Sequence, residues 1–251
     1  MLKISVVTAV FNGRETIGQT IESLIAQECV EIEYIVVDGG STDGTLQILE
    51  RYRPNIDILI SERDNGIYDA LNKGLRAATG DVIAFLHSDD LLAERDVLSK
   101  IAAAFQESEA DAVYADLVYV GRRSIDTVIR YWRAGEFTRL KLALGWMPPH
   151  PTLCVRRSLY ERTGGFDESF DISADYDLIL RLFSLPGVRI IYVPQVMVKM
   201  RAGGVSNRSL PALLKKSKED LRAIRKNRIG GFFTLACKNA SKIHQFVVRP
   251  A

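Results

Sequence analysis

Three features of the 251-residue sequence predict an α/β protein with a mostly parallel, open sheet flanked by helices. The first half repeats one unit: an apolar strand, a polar loop and an amphipathic helix. The apolar runs, Val82-Ile83-Ala84-Phe85-Leu86 above all, lack polar alternation and so read as strands buried on both faces. The polar loops after them are built from Asp, Asn, Gly, Ser and Thr, the residues that open helices. Strands alternating with helices at this spacing pair in parallel through right-handed crossovers, which predicts a doubly wound sheet.

The elements follow in order. Lys3 to Ala9 is the first strand, and the helix after it carries Ile17, Ile21, Leu24 and Ile25 on one face. Glu33 to Val37 is the second strand, ending in Asp38-Gly39-Gly40-Ser41-Thr42-Asp43-Gly44-Thr45. There Ser41 or Thr42 is placed to cap a helix with Leu46, Ile48 and Leu49. Asp57 to Ile60 is the third strand, and Asp64 can cap a helix from Ile67 to Ala78. Thr79-Gly80-Asp81 turns the chain into the fourth strand, which ends in His87-Ser88-Asp89-Asp90. A helix from Ala93 to Glu107 precedes a strand over Ala112 to Val120, and a hairpin turn at residues 121–124 leads into Ile125 to Trp132.

The regular rhythm then stops. Residues 145–151 hold three prolines in four positions and read as an ordered loop. A second loop, Phe166 to Asp171, leads to a short helix over Asp175 to Phe183, and two short strands follow at Val188 to Val193 and Val196 to Met200. From Ser209, Leu210, Leu213, Leu214, Leu221 and Ile224 have helical spacing with basic residues between them, until Gly230-Gly231 breaks the pattern. A weaker helical stretch completes the chain.

Composition excludes several classes. Hydrophobic residues at 47% and charged residues at 25% match an ordinary globular protein. No apolar run approaches the ~18–20 residues that span a bilayer. The first residues hold a lysine within a strand-like run, without the basic region and cleavage site of a secretory signal. Cys29, Cys154 and Cys237 are scattered and unpaired in sequence, which argues against a disulfide framework or a zinc knuckle. A cytoplasmic location is expected, with peripheral attachment at the inner face of the membrane as its extension. The net charge of +2 hides an asymmetry, because from Lys199 onward thirteen basic residues stand against only Glu219 and Asp220. This basic C-terminal tail is expected to meet an anionic membrane surface, the acidic body of the protein itself or a second subunit.

Asp38 closes strand two, Asp64 and Asn65 follow strand three, and Asp89 and Asp90 close strand four, all on one rim of a parallel sheet. Ligands of open α/β sheets bind at that rim. Two adjacent carboxylates after a buried strand imply a divalent cation on a diphosphate, with Asp90 as the ligand and Asp89 beside it. Gly39 to Gly44 has the glycine spacing of a P-loop, but Thr45 stands where its lysine is required, and no GxGxxG follows strand one.

Several of these segments together resemble the family-2 glycosyltransferases. They are Thr8-Ala9-Val10-Phe11-Asn12-Gly13, Val37 to Thr45, Asp64-Asn65-Gly66-Ile67-Tyr68-Asp69-Ala70-Leu71-Asn72-Lys73-Gly74, His87 to Asp90, and Ala174-Asp175-Tyr176-Asp177-Leu178 through Arg181. The resemblance runs over residues 3–207 with the motifs in order, and it implies a GT-A, Rossmann-like fold. It divides the chain into a glycosyltransferase domain at 1–207, with a nucleotide-binding half (1–120) and an acceptor-side half (121–207), and a basic helical segment at 208–251.

What the resemblance implies for function is an inverting, metal-dependent transferase that moves a sugar from a nucleotide diphosphate, UDP favoured, to a hydroxyl of a glycan or lipid-linked acceptor. Polysaccharide or surface glycan assembly is the implied setting. Nucleic acid is not an expected partner, and a homodimer is allowed. Thr8, Ala9, Asp38, Asp64, Asn72, Lys73 and Asp89 fall in the nucleotide-binding motifs. Asp38 takes an N–H of the base, Asp89 lies near the ribose, and Asp90 holds Mg²⁺ or Mn²⁺. Ser88 stands where many relatives have an acid, so the metal site is poorer in charge. Asp175 matches the general base, and Ala174 replaces the first acid of the usual pair. Arg201 and Gly203-Gly204 match a late loop over the diphosphate, and His150 and Trp146 fall on the acceptor side. The competing readings are a sugar nucleotidyltransferase, whose glycine- and lysine-rich first loop residues 8–13 do not supply, and a non-catalytic binder of the same fold.

Overall fold

The computed structural model describes residues 2–122, 124–203 and 210–244. β1 (Lys3–Val10), β2 (Glu31–Asp38), β3 (Ile58–Ser61) and β4 (Val82–Phe85) lie parallel in the order β3-β2-β1-β4. They are linked through α1 (Ile17–Ile25), α2 (Thr45–Arg51) and α3 (Ile67–Ala77). The register sets Val10 beside Asp38 and Asp38 beside Ser61, so the ends of these strands share one rim.

Side-chain alternation along β1 feeds two cores. Ile4, Val6 and Val10 pack in a layer with Ile17, Ile21 and Leu24 of α1 and with Leu98, Ile101 and Phe105 of α4 (Val97–Ser108). Val7 and Ala9 face the other layer with Ala70 and Leu71 of α3. Helices on both faces are what a doubly wound sheet requires, and they explain why these strands are apolar throughout.

The sheet continues beyond β4 through β8 (Cys154–Arg156), β6 (Ala112–Val120), β9 (Ile190–Arg201) and β5 (Leu91–Leu92), with β7 (Val128–Trp132) on β6. β6 and β9 are parallel, whereas β8 runs antiparallel to both β4 and β6. α5 (Arg139–Ala143), α6 (Arg157–Thr163) and α7 (Ala174–Ser184) complete this half, followed by α8 (Leu210–Lys226) and α9 (Phe232–His244).

Several expectations are corrected by pairing that lies far away in sequence. The helix expected from Ala93 begins at Val97, because Leu91 and Leu92 pair with Lys199 and Val198 of β9. The two strands expected after Val188 are one, with Pro194 accommodated where the register to β6 shifts at Ala115/Asp116. Neither Ser41 nor Thr42 caps α2. The residue ahead of that helix is Gly44 at φ +100°, and Ser41 and Thr42 are instead bound to Asn12. Asp64 likewise caps no helix, since Gly66 precedes α3, and its Oδ1 accepts from the Gly66 N–H. Ile25 is largely exposed, which leaves Thr20 on the buried face of α1 in its place. β8 and α6 were not expected at all, and the proline loop ends in a single 3₁₀ turn, His150–Thr152.

Opposite the ligand rim, Glu33 is a buried staple. Its carboxylate accepts from Lys3 Nζ, Ser5 Oγ and the N–H and hydroxyl of Thr79. Burial alone would raise its pKa, but these donors win and lower it to about 2.

The C-terminal helices are docked on the body. Ala223 and Ile224 of α8 are fully buried, Arg222 lies 4.3 Å from the Phe170 ring centroid, and Lys226 Nζ lies 2.7 Å from Asp167. Lys215 pairs with Asp171. Among the described residues no helix is long and apolar enough to cross a membrane.

Candidate active site

The strand ends and the loops after them enclose a cavity of about 950 Å³. One wall comes from the loop after β1, from Asp43 and Asp64, and from His87, Ser88 and Asp89 after β4. Its opposite wall comes from His150, Phe166, Asp171, Ile172 and Asp175, and Met200 and Arg201 close one end.

The loops of the first wall are stitched to one another. The Asn12 N–H donates to Ser41 Oγ, and Asn12 Oδ1 accepts from the Thr42 N–H. The Gly13 N–H donates to Thr45 Oγ1. A side chain at residue 39 would collide with the Asp64 carboxylate, so Gly39 is what lets the second and third loops close on each other. Asp38 is buried and accepts from the Ser41 N–H and from Ser61 Oγ at 2.8 Å, so part of its capacity is already used within the protein.

On the opposite wall, Asp175 sits in the first turn of α7, with Oδ2 3.3 Å from His150 Nδ1. Its Oδ1 has no hydrogen-bond partner among the described residues. Burial would raise the Asp175 pKa, but the charges of neighbouring groups, His150 first and then Lys216 and Lys238, hold it below the ordinary carboxylate value. Burial pushes His150 down to about 4. At neutral pH the pair is therefore a carboxylate beside a neutral imidazole. His150 also meets His87 edge to face at 5.4 Å, so imidazole lines the cavity between the Asp89 loop and Asp175.

Of the residues singled out in the sequence, Ala9, Asp64, Asp89, His150, Asp175 and Arg201 are brought together on this cavity. Gly203 also lies on it, while Gly204 falls outside the described residues. Arg201 is nonetheless nearly buried, donating to the Asp89 carbonyl at 2.6 Å and to Gln19, so it braces the loop that carries Asp89.

The side chains of the other six, Asp38, Thr8, Asn72, Lys73, Trp146 and Asp90, do not line the cavity. The Thr8 hydroxyl is buried and accepts from Tyr34. Asn72 ties α3 to the backbone of Phe166 through both its amide atoms, and Lys73 pairs with Glu62 and Asp69. Trp146 donates to the Ala134 carbonyl and packs among Tyr114, Phe137 and Phe183, which makes it a core residue. Asp90 is 0% exposed, its carboxylate oxygens have no partner among the described residues, and burial pushes its pKa well above the usual range.

No cluster of three ligating side chains exists among the described residues. The carboxylates that this rim brings to the cavity are those of Asp43, Asp64 and Asp89. That fits a metal taking most of its oxygens from a diphosphate.

Sequence reasoning did not single out Phe11, Tyr68 or Phe166. Phe11 is 64% exposed on the same wall as Asp89. Tyr68 stacks on Phe166 with ring centroids 5.6 Å apart and donates to the Ile172 carbonyl at 2.6 Å. An exposed aromatic in a Gly/Asn loop was the available signal for Phe11; the Tyr68–Phe166 pair joins residues with no sequence pattern between them.

Known proteins agree with this architecture. Residues 5–163 match the family described as Glycosyl transferase family 2. A PGL/p-HBAD biosynthesis glycosyltransferase of Mycobacterium bovis (strain BCG / Pasteur 1173P2) is 34% identical over 208 residues, 81% of this chain and 78% of that protein. Among solved structures, S. aureus TarS 1-349 in complex with UDP-GlcNAc superposes with a TM-score of 0.69 at 22% identity. That match covers 90% of this chain but 65% of the TarS chain, so this chain spans less than two thirds of it. The mannosyltransferase PcManGT from Pyrobaculum calidifontis, in complex with GDP-Man and Mn²⁺, superposes with a TM-score of 0.67 at 19% identity, over 99% of this chain and 76% of that one. At these identities the two structures establish the shared GT-A fold.

Proposed function

We propose that the chain, which belongs to glycosyl transferase family 2, is an inverting transferase that moves a sugar from a nucleoside diphosphate to an acceptor hydroxyl in glycan assembly. The observation that carries this reading is Asp175: an ionised carboxylate whose Oδ1 is unpartnered among the described residues, on a cavity whose other wall holds Asp64 and Asp89. Asp175 takes the proton of the acceptor hydroxyl as that oxygen attacks the anomeric carbon. The bond from that carbon to the diphosphate oxygen breaks on the opposite face, and the nucleoside diphosphate leaves, so the configuration inverts. His150 holds the carboxylate toward the cavity.

UDP is the favoured donor nucleotide, with Asp38 and Asp64 on the base side. Mg²⁺ or Mn²⁺ would be held by Asp89 together with the donor's phosphates, and when bound it neutralises charge on the departing diphosphate. Asp90, the ligand expected from the sequence, is the fully buried neighbour of Asp89. The acceptor is a glycan or a lipid-linked sugar.

A screen of nucleotide sugars for thermal stabilisation, with and without Mn²⁺, tests the reading, since a matched donor raises the melting temperature by mass action. Turnover of the stabilising donor with inversion is the expected result. Stabilisation by donors with neither transfer nor hydrolysis would favour a non-catalytic binder.

Peripheral attachment on the cytoplasmic side of a membrane is the second part of the proposal. It is supported by Phe232 and Phe233, which are 67% and 73% exposed at the start of α9, beside exposed Arg225 and Arg228. That corner has the composition of an interfacial anchor on anionic lipid.

A further inference from the structure

Within the basic C-terminal segment, Glu219 and Asp220 are the only acidic residues, and α8 aims both at the start of α7. The helix that carries Asp175 has no side-chain cap of its own, because Ser173, the residue before it, makes no such hydrogen bond. An uncapped N-terminus leaves backbone donors that need partners. The backbone leading into that N-terminus finds its partner 46 to 48 residues away. Glu219 Oε2 accepts from the N–H groups of Ile172 at 2.8 Å and Ser173 at 3.0 Å, and Oε1 accepts from that of Asp171 at 3.3 Å. Ser173 Oγ donates to Asp220 Oδ1 at 2.9 Å.

Two further contacts hold the same segment. Tyr68 of α3 donates to the Ile172 carbonyl, so one residue is gripped through its N–H by α8 and through its C=O by the donor-side half. Lys238 of α9, 2% exposed, lies 2.8 Å from Asp220 Oδ2, and its Nζ sits 3.3 Å from the ring centroid of Tyr176. A path of direct contacts thus runs from α9 through Asp220 and Ser173 to the residue next but one in sequence, Asp175.

We infer that Glu219 is a positioning residue for Asp175, and that α8 and α9 belong to the catalytic unit rather than forming an appendage. The inference rests on the reading of Asp175 as the base. A carboxylate that must meet an acceptor hydroxyl within hydrogen-bond reach loses rate steeply with displacement, roughly 10²-fold for 1 Å. Asp171 and Ile172 also line the cavity, so the segment gripped by Glu219 is the floor on which the acceptor would rest. The family match ends at Thr163, ahead of this whole arrangement.

The test compares Glu219→Ala, Glu219→Gln and Asp175→Asn in the full chain. Glu219→Ala is expected to lower kcat by roughly 10–10²-fold with the donor KM within about twofold of wild type. Glu219→Gln keeps an acceptor oxygen and is expected to recover most of that loss. Amide hydrogen exchange at residues 171–173, read without substrate, is expected to accelerate in Glu219→Ala and to a smaller extent in Glu219→Gln. Should the Ala variant fail to fold, the Gln variant carries the exchange measurement. Unchanged exchange, or a Glu219→Ala enzyme with wild-type kcat beside an inactive Asp175→Asn, overturns the positioning role alone. An active Asp175→Asn overturns the base assignment instead, whatever Glu219 does.

Discussion

His150 Nδ1 lies 3.3 Å from Asp175 Oδ2, and this contact joins the proline-rich loop to α7 across the cavity wall. The remaining oxygen of Asp175 has no partner among the described residues, as the base proposed above requires. Replacing Asp175 by Asn keeps the shape and removes the basicity. Nucleotide binding measured by calorimetry should be unchanged, while kcat falls by ~10² or more.

The same carboxylate sets a pH limb. Its pKa is held below the ordinary value, against burial, by the charges of His150, then Lys216 and Lys238, with His87 as the other titratable imidazole nearby. A base with a depressed pKa stays ionised, and activity on that limb is lost only as pH falls through the depressed value. Lys216→Met removes one of the cations, so the acid limb of the kcat/KM profile should move to higher pH. A limb that stays in place would mean that Asp175 is not the group being titrated.

Asp89 and Asp90 are neighbours in sequence with opposite surroundings, one on the cavity and one fully buried. Asp89→Asn should abolish the stimulation of nucleotide binding by Mn²⁺. Asp90→Asn replaces a carboxyl whose pKa burial already raises, so Mn²⁺ stimulation should survive it. Calorimetric titration of the nucleotide with and without Mn²⁺ reads both variants, and the reverse pattern would return the ligand role to Asp90.

This distinction marks how far the sequence could be read. The parallel strands, the helices between them and the rim of acids were legible, because each rests on local periodicity and on where polar residues interrupt it. Which of two adjacent acids faces the cavity was not, since it depends on Arg201 bracing the loop from 112 positions away. Trp146 looked like a sugar platform for the same reason: its partners Tyr114 and Phe183 come from β6 and α7. The basic tail was legible as a charge excess, yet Lys215, Arg222 and Lys226 are spent on the 167–171 loop, and only the folded contacts reveal that.

Glu33 predicts an acid limit to stability. Its folded pKa of about 2 lies below the ordinary 4.5, so its contribution is fully present above pH 4.5 and is lost as pH falls toward 2. Glu33→Gln should lower the melting temperature at pH 7, where four donors lose a charged acceptor, and the gap to wild type should narrow steadily below pH 4.5. A gap independent of pH would show that packing, rather than ionisation, makes Glu33 matter.

Removing the whole tail is a poor test of membrane attachment, because truncation also takes away Glu219 and Asp220 and so disturbs α7. The exposed corner offers a cleaner one. Phe232 and Phe233 project from the start of α9, and the Arg225 guanidinium lies 4.9 Å from the Phe232 ring centroid. Both aromatic rings are far from the cavity-lining residues in sequence and take no part in the grip on Ser173. The double variant Phe232→Ser/Phe233→Ser should therefore keep transferase activity on a soluble acceptor while losing co-sedimentation with vesicles containing anionic lipid. Wild-type binding should weaken as salt is raised, since exposed charges separated by more than ~8–10 Å are screened at 0.1–0.15 M ionic strength. Equal sedimentation of the variant and wild type, or binding that ignores salt, would assign the corner to something other than a membrane.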